Sequence, residues 1–165
     1  MYVGEYHSAL DSKGRLAVPI TFRRTMEDNA HTTWFITRGY DNTLFMFEST
    51  HWQELTKKIP AASLNPRDLD FRRFIIGSSA KVQIDTAGRI LIPQHLRNYA
   101  DIERGAVLLG LEDHLELWNE LRWKQFCQQH TDDYKKMGAE LFGNSRENAM
   151  EQPTEEMSDV QTYAG

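Results

Sequence analysis

The chain has 165 residues, a formal charge of −5, 40% apolar and 26% charged residues, values at which a packed core is feasible. No run approaches the roughly 18 apolar residues of a membrane span, and the first residues, with Glu5, Asp11 and Lys13, form no signal-peptide pattern. The single cysteine, Cys127, excludes an internal disulfide and a CxxC zinc pattern, so a cytoplasmic protein without cofactor or metal is expected. One domain, or two small ones sharing a core, fits this length.

Residues 3–10 read as a short extended segment running into Asp11. Asp11 can bond its own backbone two residues on, and Gly14 can take the positive φ of a tight turn. Leu16 and Val18 then point to one face of a second strand. Pro19 closes that strand and suits the first turn of a short helix, in which Phe22 and Met26 share a face. Two strands follow, 33–37 and 43–47, around a turn at Gly39-Tyr-Asp-Asn42. A longer helix containing Trp52 and Leu55 completes the first half.

Asn65-Pro66 opens a linker helix through Ile76, with Asn65 as N-cap, Pro66 at the first helical position and Gly77 as the stop. Leu69, Phe74 and Ile76 offer it an apolar side, and Arg67, Arg72 and Arg73 a basic one, usually just the wet side of such a helix. The second half then repeats the first. Asp85-Thr-Ala-Gly-Arg89-Ile-Leu-Ile-Pro93-Gln-His-Leu-Arg97 lies 74 residues after Asp11-Ser-Lys-Gly-Arg15-Leu-Ala-Val-Pro19-Ile-Thr-Phe-Arg23, with five of thirteen positions identical. Chance would give roughly one. From Leu44/Leu115 onward the offset is 71, which places a three-residue length change in the loop before Trp34. Each copy therefore reads strand, turn, strand, short helix, strand, turn, strand, longer helix.

After Trp118 a helix is expected from about Asn119 to Gln129 and a weaker one through about Gly143. Residues 144–165 set Arg146 against Glu147, Glu151, Glu155, Glu156 and Asp159, so they hold −4 of the net −5. This polar stretch with Pro153 predicts a disordered acidic tail. The body is near neutral, and net charge neither supports nor excludes a nucleic-acid partner.

The chemistry of the repeat centres on Arg15 and Arg89. A guanidinium projected from a rigid hairpin binds phosphate or the guanine edge through a bidentate fork. The alternative is that Arg15 and Arg89 pair with Asp11 and Asp85 and hold the turn. Lys13 adds a cation to the first loop, where the second carries Ala87. Arg23, Arg24 and Arg97 are supporting phosphate-contact candidates, or else solvated helix positions or intersubunit salt bridges. Asp11, Gly14, Asp85 and Gly88 read as turn formers. No GxSxG, GxxxxGK or HExxH pattern occurs, and the six histidines are scattered, which excludes the common catalytic motifs. Trp34, Trp52, Trp118 and Trp123 read as core, although Trp52 and Trp123 open their helices and could serve an interface.

Two copies of D-x-x-G-R-x-x-x-P-x-x-x-R in one chain resemble the MraZ family of bacterial transcriptional regulators, and each copy is similar to an AbrB-type swapped-hairpin unit. The opening Met1-Tyr-Val-Gly-Glu-Tyr6, the Asn65-Pro66 helix and Glu116-Leu-Trp118 extend the resemblance over about residues 1–130. It implies an α+β, mainly β fold: two tandem AbrB-like repeats forming one pseudo-two-fold swapped-hairpin β-barrel with flanking helices. The organisation expected is a first repeat over 1–49, a helical linker over 50–78, a second repeat over 79–121, C-terminal helices over 122–143 and the tail over 144–165. The resemblance further implies a non-enzymatic, nucleoid-associated DNA-binding regulator. It would bind spaced direct repeats in the promoter of its own division and cell-wall gene cluster as a ring-like homo-oligomer. Carried over residue by residue, the DNA-facing positions are Lys13, Arg15 and Arg89. No small-molecule ligand is evident from the sequence. The reading from another class is a protein-interaction or scaffold module built on the same barrel.

Overall fold

Each Asp-x-x-Gly-Arg segment closes a hairpin whose two strands end in different sheets. The computed structural model describes residues 1–28, 33–60 and 63–150. In the first copy β1 (Tyr2–Ala9) enters the turn and β2 (Arg15–Ala17) leaves it, followed by α1 (Ile20–Asp28), β3 (Thr33–Arg38), β4 (Leu44–Glu48) and α2 (Ser49–Lys58). The linker helix α3 (Pro66–Ile75) leads into the second copy: β5 (Ala80–Gln83), β6 (Arg89–Leu91), α4 (Gln94–Ala100), β7 (Gly105–Glu112), β8 (His114–Asn119) and α5 (Glu120–Met150). The element order of the repeat is the one its sequence predicts. The registers divide the length change: β3 and β7 are 72 residues apart, so two residues are lost in the loop before β3, where 29–32 lie outside the described residues, and one in the turn between β3 and β4.

The pairing crosses between copies. The six-stranded sheet runs β1-β7-β8-β4-β3-β5, and β2 pairs with β6 as a separate ribbon. Thus β1 leaves its own copy to pair antiparallel with β7, while β5 pairs with β3. The order is unchanged when the copies are exchanged, with β4 and β8 meeting at the pseudo-two-fold centre. Single bridges, Leu10 to Leu16 and Ile84 to Ile90, connect β1 to β2 and β5 to β6. Through them and the ribbon, the chain of pairings closes on itself as a barrel.

Period-two alternation places Leu16 and Ile90 inward, both fully buried. They join Phe22, Trp34, Ile36, Met46, Leu96, Leu108 and Leu117 in one core. A second cluster lies on the other side of β4, all of whose residues are buried: Phe45 and Phe47 pack with Trp52, Ile59 and Ile75. Trp52 stacks on Phe35 at 5.2 Å between ring centroids. At the matching place Trp123 meets Trp118 edge-on at 5.3 Å. Core packing is therefore the role of Trp52, and Trp123 is half-buried.

Caps agree with the sequence at α3, where Asn65 Oδ1 accepts the Arg67 N–H at 3.0 Å and Pro66 is the first helical residue. Three details differ. Pro93 is the N-cap of α4 rather than its first residue, because its extended ψ aims its carbonyl at the Arg97 N–H, 3.0 Å away. The buried anchor of α3 is Ile75, whereas Phe74 is 54% exposed. The C-terminal helices expected over 122–143 are one helix, helical past the expected start of the tail at 144 as far as Met150. No proline interrupts it, and Gly138 and Gly143 each cost about 1 kcal/mol, too little to break a helix of this length. The remaining tail, 151–165, lies outside the described residues.

The structure divides into a unit Met1–Gln125, which holds the barrel, and a unit Phe126–Gly165. In the latter, Phe126 stacks on His130 at 4.1 Å, and Tyr134, Met137 and Leu141 are exposed.

Candidate nucleic-acid interface

The two turns are built alike. Gly14 donates to the Asp11 carbonyl at 2.9 Å and Gly88 to that of Asp85 at 2.9 Å, with φ of 79° and 75°. Asp11 Oδ1 accepts from the Lys13 and Arg15 amides, both at 3.0 Å. Asp85 Oδ1 accepts from Ala87 and Arg89, both at 2.9 Å. Asp11, Gly14, Asp85 and Gly88 thus form the turns as their residue types suggest.

Each aspartate also holds the arginine that follows. Arg15 Nε donates to Asp11 Oδ2 at 2.7 Å, and Arg89 donates to Asp85 Oδ2 through Nε at 3.0 Å and Nη2 at 2.9 Å. The ribbon brings the copies together, so Arg15 Nη1 lies 3.9 Å from Asp85 Oδ2 and Arg89 Nη1 lies 3.7 Å from Asp11 Oδ2. Four charges form one compact square, with side chains about one third exposed. The Arg15 amide and guanidinium hold the Asp11 carboxyl below the ordinary carboxylate range. The Arg89 guanidinium, then its amide, do the same for Asp85. Turn-holding, one of the two roles open to Arg15 and Arg89 from the sequence, is therefore present in the folded chain.

Arg23 and Arg97 make contacts that neither reading of the sequence includes. Each crosses to the other copy's turn and lies over its glycine. A Cβ on Gly14 would come within 2.7 Å of Arg97 Cζ, and one on Gly88 within 2.7 Å of Arg23 Cζ. Arg97 Nε donates to the Ile92 carbonyl at 3.1 Å and its Nη2 to the Gln94 side chain. Arg23 Nε is buried without a hydrogen-bond partner. Both side chains are half-buried locks between copies rather than solvated helix positions. The sequence signal was present, since Gly14/Gly88 and Arg23/Arg97 are among the identical positions, but linear spacing does not reveal that they pair across copies. Arg24 is exposed. Lys13 is also exposed, and no carboxylate among the described residues pairs with it.

The outward side of the ribbon therefore presents Arg15, Ala17, Arg89 and Leu91 around the charge square, flanked by the Lys13 loop at one end and the Ala87 loop at the other. No group of histidine, cysteine and acidic residues among the described residues is arranged to hold a metal ion. A family model described as "MraZ protein, putative antitoxin-like" matches twice, over residues 1–73 and 75–145, one match per structural copy.

The chain belongs to the MraZ family. Among its relatives, the transcriptional regulator MraZ of Moorella thermoacetica is 32% identical over 142 residues, covering 86% of this chain and 96% of the relative. Proteins of the same description from Natranaerobius thermophilus and Halothermothrix orenii are 33% and 35% identical, with the same coverage. Membership extends over both copies and most of α5, and it accounts for the duplicated hairpin as a family feature.

Proposed function

We propose that the chain is a sequence-specific DNA-binding transcriptional regulator, regulatory rather than catalytic, acting in the cytoplasm on the nucleoid. The observation that carries this reading is the paired Gly-Arg turns on one ribbon, in a chain whose relatives are described as transcriptional regulators. The proposed DNA face is the outward side of the ribbon. Lys13 supplies a phosphate contact, and Arg15 and Arg89 are held by Asp11 and Asp85 in a fixed orientation for bidentate recognition. Arg24 supplies a further phosphate contact, whereas Arg23 and Arg97 act mainly by holding the turns and secondarily through their remaining donors.

One subunit, near neutral in its body and offering so few cations, binds weakly. We therefore extend the proposal to a ring-like homo-oligomer on spaced direct repeats in the promoter of its own division and cell-wall gene cluster, where repeated contacts multiply by avidity. The test compares Arg15→Ala and Lys13→Ala with the parent on promoter DNA and on a scrambled duplex at two salt concentrations. Lys13→Ala is expected to weaken both complexes alike and lower the salt slope by about one. Arg15→Ala should weaken mainly the promoter complex. Unchanged binding by folded variants would remove the ribbon face from consideration.

A second reading, a protein-interaction module, draws on Tyr134, Met137 and Leu141 of α5, spaced on one helical side and 78%, 46% and 69% exposed. It predicts negligible DNA affinity at any salt, and loss of partner capture on Tyr134→Ser with Leu141→Ser.

A further inference from the structure

Away from the ribbon, Arg38 at the end of β3 occupies an unusual position for a cation. Its guanidinium carbon lies over the rings of both Phe74 and Tyr99, 4.9 and 5.0 Å from their centroids. Its Nε is buried without a hydrogen-bond partner. No ion pair to a carboxylate among the described residues neutralises it. A buried donor of this kind costs free energy unless something accepts from it.

The same guanidinium lines a cavity of about 520 Å³ between the β3–β4 turn, α3 and α4. That volume lies in the range of small-molecule pockets. The walls are aromatic: Tyr40, Phe71 and Phe74 are 66%, 41% and 54% exposed, far more than core side chains of their size. The pocket is held in shape from behind. Tyr99 donates its hydroxyl to the Gly39 carbonyl at 2.8 Å, and Asn42 Nδ2 donates to the Tyr99 carbonyl at 3.3 Å. Asp41 and Asp70 stand at the rim, Asp70 paired with Arg73 at 2.8 Å.

The strand registers place β7 72 residues after β3, so the position matching Arg38 in the second copy is Gly110, and Tyr99 matches Thr25. The second copy thus has neither a cation nor any side chain at the equivalent place.

We propose that this pocket is a binding site for a small monocarboxylate with an aromatic or bulky apolar body. The carboxylate accepts in-plane hydrogen bonds from the terminal nitrogens of Arg38, and the body packs against Tyr40, Phe71 and Phe74. A guanidinium already lying against aromatic rings keeps its in-plane donors for such a bidentate partner. The rim aspartates disfavour multiply charged anions such as phosphate esters. The site is separate from the proposed DNA face, and its test is independent of DNA binding.

The test is isothermal titration of the full chain with phenylacetate, beside its neutral counterpart phenylacetamide and inorganic phosphate. Saturable binding of phenylacetate is expected, with phenylacetamide and phosphate at least about tenfold weaker. Arg38→Gln should remove the preference for the charged probe. Because Arg38 also packs on two rings, the exposed Tyr40→Ala serves as a second variant. It should weaken phenylacetate severalfold while leaving the thermal midpoint unchanged. Equal binding of phenylacetate and phenylacetamide, or none of either, overturns the proposal. So does a result in which phenylacetate gives no heat and Arg38→Gln alters the elution volume, which would assign the carboxylate to a neighbouring copy of the chain.

Discussion

Gly14 and Gly88 meet two demands at once, a positive φ and room for a guanidinium from the other copy. Alanine at either should cost about 1–3 kcal/mol in urea unfolding, through left-handed strain and the displaced arginine together. Combining Gly14→Ala with Arg97→Ala separates the two. The double variant should lose less than the sum of the singles if the guanidinium over the glycine contributes. Asp11 and Asp85 make a pH prediction. Their carboxyls are held below the ordinary range in the fold, so they contribute stability at neutral pH. That contribution is fully present above about pH 4, the unfolded value, and is lost as pH falls through the lower folded value. Asp11→Asn with Asp85→Asn should therefore lower stability at pH 7 and flatten its decline in acid, as read by thermal midpoints across pH 2–7 (roughly the span of these titrations).

At the scale of elements, the helices after β4 and β8 cover the sheet with equivalent tryptophans that are buried to different depths. Trp52→Ala should cost about 3–5 kcal/mol, because it opens the cluster with Phe35 and Phe47. Trp123→Ala should cost clearly less, its ring being half-buried. The pair of values from denaturant titration tests the assignment. The strands, turns and short helices were legible in the sequence because alternation, Gly-Arg turns and proline stops repeat with a fixed offset. Strand partners were not legible from residues alone. A repeat that pairs within its own copy and one that exchanges β1 and β5 have the same pattern, and only the family resemblance pointed to exchange. The face of α3 is legible only in part: Ile76 packs on the second cluster as expected, whereas Phe74 is exposed and the buried residue is Ile75. Leu69, Phe71, Phe74, Ile75 and Ile76 are apolar on several sides of one helix, so periodicity did not single out Ile75 as the buried one. At the candidate interface the turn residues were legible, while the arginine locks depend on contacts between copies that no local pattern encodes.

For the whole molecule, exchange means that neither copy can complete its sheet by itself. A fragment of residues 1–78 has β1 without β7 and β2 without β6. It should fold only by pairing with a second chain, so its circular dichroism should depend on concentration. Mixing it with 79–165 should restore a concentration-independent melt to a greater extent than either alone. The covalent joining of the copies also releases them from identity. A homodimer with this ribbon would present two equal loops and carry a true two-fold axis, with no direction along a duplex. Here Lys13 faces Ala87 across an approximate axis, so the ribbon has a head and a tail. Subunits that each lie on DNA in one polarity suit sites repeated in the same sense, not mirrored ones. Ala87→Lys would make the loops alike, and binding to a duplex with one site reversed should then approach binding to the original.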